Sequence, residues 1–121
     1  MGLILADTNV VIYMLQGDQV LAQLFDDNKI AISFITELEL LTAKKFTLIQ
    51  GKLIQEFINN CIIYNYTEFI KEACINLRLK YSLRIPDAII AATAKAYKIP
   101  LFTSDKHFSK ITEIGVSIYS F

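Results

Sequence analysis

The apolar residues of this chain fall into runs of two kinds. Residues 3–6, 30–33, 61–64, 101–103 and 116–119 are short and nearly continuous in apolar character. Runs of that length suit strands buried on both faces of a parallel sheet. Between them the apolar residues recur at helical spacing. Strand alternating with helix implies an α/β fold, a mainly parallel sheet flanked by helices in three layers.

The helical segments carry their own punctuation. A first helix is expected from about Val10 to Gln16, stopped by Gly17. Asp18 reads as the cap of the next, with Val20, Leu21, Leu24 and Phe25 on one face. Thr36 reads as the cap of a helix carrying Leu38, Leu41 and Ala43, and Thr47 opens another through about Asn59, weakened by Gly51. Thr67 caps the helix of Phe69, Ile70, Ala73, Leu77 and Tyr81. Arg84-Ile85-Pro86-Asp87 opens one that continues through Lys98, with proline early and an acid in the first turn. Ser104-Asp105 begins a short helical turn. Tyr13, Phe25, Phe46, Phe57, Phe69 and Tyr97 fall at helix-like positions, where core packing is the ordinary expectation.

Composition excludes more than it identifies. With 121 residues, 54% of them hydrophobic, the chain is expected to form one domain over 1–121. No apolar run approaches the roughly 20 residues of a membrane helix. The start Met-Gly-Leu-Ile-Leu-Ala lacks a basic region and reads as a strand rather than a signal peptide, so a cytoplasmic protein is expected. Formal net charge is zero, so composition does not advertise nucleic-acid binding, and any such site must be local. Cys61 and Cys74 lack metal-ligand spacing and read as free thiols. His107, the single histidine, would have to serve any Ser/His/Asp triad, but beside Asp105 it reads as a surface residue or a support to that acid. A zinc site and a glycine-rich phosphate loop are both missing.

Four acids stand out by position. In an open α/β sheet the working crevice lies at the carboxyl ends of the strands. Asp7 directly follows the first strand and Asp105 follows the strand of residues 101–103. Glu39 lies on the helix after the second strand, and Asp87 sits at a helix start. Each has an ordinary use: a turn residue for Asp7, a solvated helix face for Glu39, the helix dipole for Asp87 and an N-cap for Asp105. Together at one edge they would repel one another unless protonated or held by a cation. A hard divalent ion such as Mg²⁺ or Mn²⁺ takes oxygen ligands, keeps waters and grips phosphate oxygens. One or two such ions suit phosphodiester hydrolysis.

Four segments then carry a resemblance: Leu5-Ala6-Asp7-Thr8-Asn9-Val10-Val11-Ile12-Tyr13; Ser33-Phe34-Ile35-Thr36-Glu37-Leu38-Glu39-Leu40-Leu41; Arg84-Ile85-Pro86-Asp87-Ala88-Ile89-Ile90-Ala91-Ala92-Thr93-Ala94; and Leu101-Phe102-Thr103-Ser104-Asp105-Lys106-His107-Phe108. In this order they resemble PIN-domain nucleases, and within them the VapC-like toxins of VapBC-type toxin–antitoxin pairs. The pattern Ser-x-x-Thr-x-x-Glu-Leu selects Glu39 over Glu37. The resemblance implies a PIN fold, Mg²⁺ or Mn²⁺ dependence and endoribonuclease activity, with metal-binding and catalytic roles on Asp7, Glu39, Asp87 and Asp105. It also implies a homodimer and a cognate antitoxin. Thr8, Asn9, Thr103 and Ser104 flank the acids and are candidates to orient them, with strand-end capping as the plain alternative. Arg84, Arg78, Lys80 and Lys106 are candidates for RNA phosphate contacts, against solvated surface. A nuclease of RNA maturation without an antitoxin, and a non-catalytic binding module, are the competing functions.

Overall fold

The computed structural model describes residues 2–44 and 46–120. In chain order the elements are β1 (Leu3–Ala6), α1 (Thr8–Leu15), α2 (Gln19–Asp27), β2 (Lys29–Ser33), α3 (Phe34–Thr42), α4 (Leu48–Asn60), β3 (Ile62–Tyr64), α5 (Glu68–Lys80), α6 (Ile85–Tyr97), β4 (Leu101–Thr103), a 3-10 turn (Lys106–Lys110) and β5 (Val116–Ile118).

The five strands form one sheet in the order β3-β2-β1-β4-β5. Every pairing is parallel, with Leu5 opposite Ala31 on one side and Leu101 on the other. The chain runs outward from β1 to β3, then crosses back to build β4 and β5 on the opposite flank. The order therefore reverses between β1 and β4, and it is at the carboxyl ends beside such a reversal that open α/β sheets form their working crevice.

Alternation along the strands divides the core. Leu5 and Ala31 pack with Ile70, Leu77, Ile90 and Ala91 of α5 and α6. Ala6, Ile32 and Phe102 pack with Val10, Leu21, Leu40 and Ile54 of α1 to α4. Successive side chains point to opposite faces, and both faces are covered by helices, which gives the three layers. Neighbouring helices α5 and α6 open and close on sequence-encoded signals. Thr67 Oγ1 accepts from Ile70 N at 3.1 Å, Pro86 stands in the first turn of α6, and Lys98 ends that helix in the left-handed region at φ 55°.

Four expectations are corrected. The cap of α3 is Ser33, whose hydroxyl accepts from Ile35 N at 3.2 Å; Thr36 is inside the helix and fully buried. Leu40 faces the core while Leu38 and Leu41 are each 52% exposed. Thr36 and Leu40, four residues apart, share the inward face, and one residue's step turns a side chain about 100° away. For the same reason Val20 is exposed while Leu21 and Phe25 are buried. Phe69 is also exposed, because Ile70, Ala73 and Leu77 define the inner stripe of α5.

The remaining differences are small. The first helix starts at Thr8 because Asp7 caps it, and Gly17 at φ 107° turns the chain after it. Cys61 closes α4 rather than opening β3, and Tyr81 closes α5. Both cysteines are free and half-buried. Among the described residues no helix is long and apolar enough to cross a membrane.

Candidate active site

Asp7 stands at the switch point, one residue beyond β1, with only 6% of its surface exposed. Its Oδ1 accepts from Thr8 N at 2.8 Å, capping α1. Its Oδ2 accepts from the Thr103 hydroxyl at 2.7 Å. Burial pushes this carboxyl above its ordinary range; the Thr103 and Thr8 hydrogen bonds pull it back, and the negative charges of Asp87 and Glu39 push it further up. Three of the four acids singled out in the sequence thus share one electrostatic field, although they come from β1, α3 and α6.

Glu39 reaches this field from the side of α3. Its Oε1 accepts from the Thr8 hydroxyl at 2.6 Å, and Thr8 Oγ1 lies 3.0 Å from Thr36 Oγ1. Glu37 is directed elsewhere: its charge falls on Cys61, whose thiol burial pushes up to about 11. Glu39 is thus tied to the residue next to Asp7. Asp87, in the first turn of α6, carries Arg84 at 3.4 Å from its Oδ2.

Asp105 is joined to the group differently. Its backbone N donates to Thr103 Oγ1 at 3.0 Å, the same hydroxyl that donates to Asp7. Its own Oδ1 accepts from His107 N at 2.9 Å and caps the 3-10 turn. Asn9 Oδ1 accepts from Ser104 N at 3.4 Å, tying the start of α1 to the loop after β4. Tyr119 N donates to the Thr103 carbonyl at 2.7 Å, bracing the residue that holds Asp7.

The candidate cations are unequal. Arg84 and Lys106 are exposed, Arg84 beside Asp87. Arg78 Nε donates to the Leu83 carbonyl at 3.0 Å, so that group fastens the loop between α5 and α6. Lys80 pairs with Glu113 at 3.3 Å and stands 5.7 Å from the centre of the Tyr81 ring. His107 is exposed.

The acids of the crevice offer oxygen donors, the ligand type of a hard cation. Asp7 supplies a carboxylate that burial and its neighbours penalise, a penalty that a bound divalent ion would offset. Among the described residues no three acidic, His or Cys side chains lie close enough to ring an ion as they stand. Mg²⁺ commonly takes one or two carboxylates and fills its remaining positions with water. The two residues that the sequence reading undervalued are Thr36 and Tyr119. The spacing of Thr36 and Glu39, three apart on one helix face, was the available signal for the first; nothing local marks the second.

Comparison with known proteins places this arrangement. The PIN domain family profile matches residues 4–114. A toxin–antitoxin complex from Klebsiella pneumoniae contains a chain 32% identical to this one, with TM-score 0.83 and 98% and 99% of the two chains covered. DNA-bound VapBC from Salmonella typhimurium matches at 19% identity and TM-score 0.82, covering 98% of each chain. VapBC2 from Rickettsia felis, bound to a promoter DNA fragment, matches at 21% and 0.76, covering 98% of this chain and 99% of its own. These last two likenesses speak for the fold. No curated protein matches the chain. The family profile spans the first strand through the loop before β5, and with it all four acids, so this chain belongs to the PIN-domain family.

Proposed function

We propose that the chain is a hydrolytic nuclease, specifically a Mg²⁺- or Mn²⁺-dependent endoribonuclease acting as the toxin of a toxin–antitoxin pair. The observation that carries this reading is the buried Asp7 carboxylate, placed at the sheet's switch point in the field of Asp87 and Glu39. Such a cluster is costly in an empty fold and useful around a cation.

In this reading Asp7, Glu39, Asp87 and Asp105 hold one or two divalent ions, directly or through water. A bound ion would supply an activated water and offset charge on the transferring phosphate. Thr103 and Thr8 fix the two oxygens of Asp7, and Asn9 and Ser104 hold the loop that bears Asp105. Arg84 and Lys106 engage phosphates, which gives affinity with little sequence selectivity; Arg78 and Lys80 are weaker candidates because each already serves the fold. Residues 1–121 act as one PIN unit.

The pairing with an antitoxin rests on the 32%-identical relative, which is part of a toxin–antitoxin complex. It is supported by Leu38 and Leu41 of α3 and Leu48, Ile49 and Leu53 of α4, all exposed, a quantity of apolar surface that suits a protein partner. A homodimer in the cytoplasm completes the proposal.

The test is cleavage of a mixed RNA panel that includes structured transfer RNA, with Mn²⁺ or Mg²⁺, beside chelator and Asp7→Asn. Cleavage lost with chelator and with the substitution supports the reading. Folded, antitoxin-free protein that neither cleaves nor binds Mn²⁺ overturns it in favour of a binding module.

A further inference from the structure

We propose that a cavity beside the acidic crevice, walled by Tyr13 of α1 and Phe46 of the loop before α4, holds one unpaired nucleobase of a single-stranded RNA. This rests on the ribonuclease reading above and adds to it a base-binding subsite, the element from which a sequence preference would come.

The cavity encloses about 430 Å³ between α1 and the segment that joins α3 to α4, a size within the ordinary range of small-ligand pockets. Asn9, Ile12, Tyr13 and Gln16 line it from α1. Their offsets of three, four and seven residues place them on one helix face. Phe46 and Lys44 line the other side. The position of α1 ties the cavity to the crevice. Asp7 caps that helix, Asn9 lies two residues further on, and Asn9 Oδ1 accepts from Ser104 N in the loop that bears Asp105. Asn9 thus belongs to both places. Gln16, at the other end, is about 10 Å along the helix axis. A base held here is a near neighbour of a phosphate held at the acids.

The lining suits a base better than a protein. A base presents two apolar faces and a polar edge. Tyr13 offers a ring that is 41% exposed, and Phe46 is half-buried and packed on the core beneath α1 to α4. Aromatic rings stack on any base. The exposed Gln16 brings a carboxamide, both donor and acceptor, to the base edge. Lys44, also exposed, is a cation for the adjoining phosphate. Among the described residues no carboxylate lines this cavity, whereas Asp26 and Glu56 line the larger one between α2 and α4 and would repel a polyanion. The apolar part of the α1 wall, Ile12 and Tyr13, is short and has a carboxamide on either side. A partner helix lays its anchors over two turns.

The experiment measures binding of the full chain to single-stranded oligoribonucleotides containing all four bases, by fluorescence anisotropy with chelator present, so that neither cleavage nor a metal ion contributes. Bases are removed one at a time with an abasic nucleotide. With wild type, one position should weaken binding about 5- to 150-fold, the effect of losing one stacked base, and the others much less. Tyr13→Ala should weaken binding of the intact RNA by a similar factor and lose nothing more at that position, because both changes remove the same stack. Tyr13→Phe should bind like wild type. Gln16→Ala should alter which base is preferred at that position alone. A flat wild-type scan overturns the inference, whether or not the variants fold. A folded Tyr13→Ala with wild-type affinity overturns it as well and leaves the cavity to a protein partner. Mn²⁺-dependent cleavage in either case keeps the ribonuclease reading; a wild-type chain that neither binds nor cleaves RNA removes both.

Discussion

The Thr103 hydroxyl donates to Asp7 Oδ2 at 2.7 Å although 96 residues separate them in sequence. The same oxygen accepts from Asp105 N, so one hydroxyl links the ends of β1 and β4. Thr103→Val removes both bonds and leaves the Asp7 carboxyl higher still. Cleavage and Mn²⁺ affinity should fall about 10- to 100-fold, while Thr103→Ser retains most of each. Single-turnover cleavage beside a Mn²⁺ titration checks it; a Thr103→Val protein with wild-type values refutes the role.

Asp7 also predicts a pH dependence. Its folded-state carboxyl is raised above the ordinary 3.8, mainly by burial. Its contribution to stability is therefore fully present below 3.8 and is lost as pH rises through the raised value. Metal-free wild type should lose stability across that window, and Asp7→Asn should flatten the slope while abolishing cleavage. Urea unfolding at stepped pH reads the effect. Equal slopes for the two proteins would contradict it.

A cation should act in the opposite sense. Ligand that binds only the folded chain stabilises it by about 2.7 kcal/mol at a hundred times its dissociation constant. Saturating Mn²⁺ should raise the wild-type melting temperature by several degrees and that of Asp7→Asn by much less. Calorimetry with and without chelator decides; an equal rise in both would place the ion elsewhere.

Glu113 accepts from Lys95 and pairs with Lys80. The two lysines, Lys95 first, hold its carboxyl down to about 2 from 4.5. A depressed acid stabilises above its unfolded value, and that contribution is lost as pH falls through about 2. Glu113→Gln should lower the melting temperature modestly at pH 7, with the gap to wild type closing in acid. Mn²⁺ affinity should not change. A gap that persists at the lowest pH would rule out the charge as its source.

The sequence legibly carried the strands, because short apolar runs buried on both faces leave little choice of phase. It also singled out Asp7, which directly follows β1, and Asp87, which opens α6, whereas Glu39, six residues into α3, was picked out only by its motif. Helix phase was harder. Ser33 and Thr36 are both plausible caps three residues apart, and choosing the later one hid the buried hydroxyl under α3. Leu38, Leu40 and Leu41 are equally apolar, so only the packed sheet reveals that Leu40 alone turns inward. At Asp105 the cap anticipated in the sequence is realised on His107 N, whereas its backbone bond to the Thr103 hydroxyl had no local signal.

The adjacency of β1 and β4 bears on the order in which this molecule is made. Asp7 leaves the ribosome well before the strand beside it and the hydroxyl that holds it, which are those of Leu101–Thr103. Until that segment has emerged, Asp7 has no Thr103 and the crevice has only one wall. The site thus cannot exist until β4 has been made, and a polypeptide halted before β4 carries three of the acids without the strand that flanks Asp7.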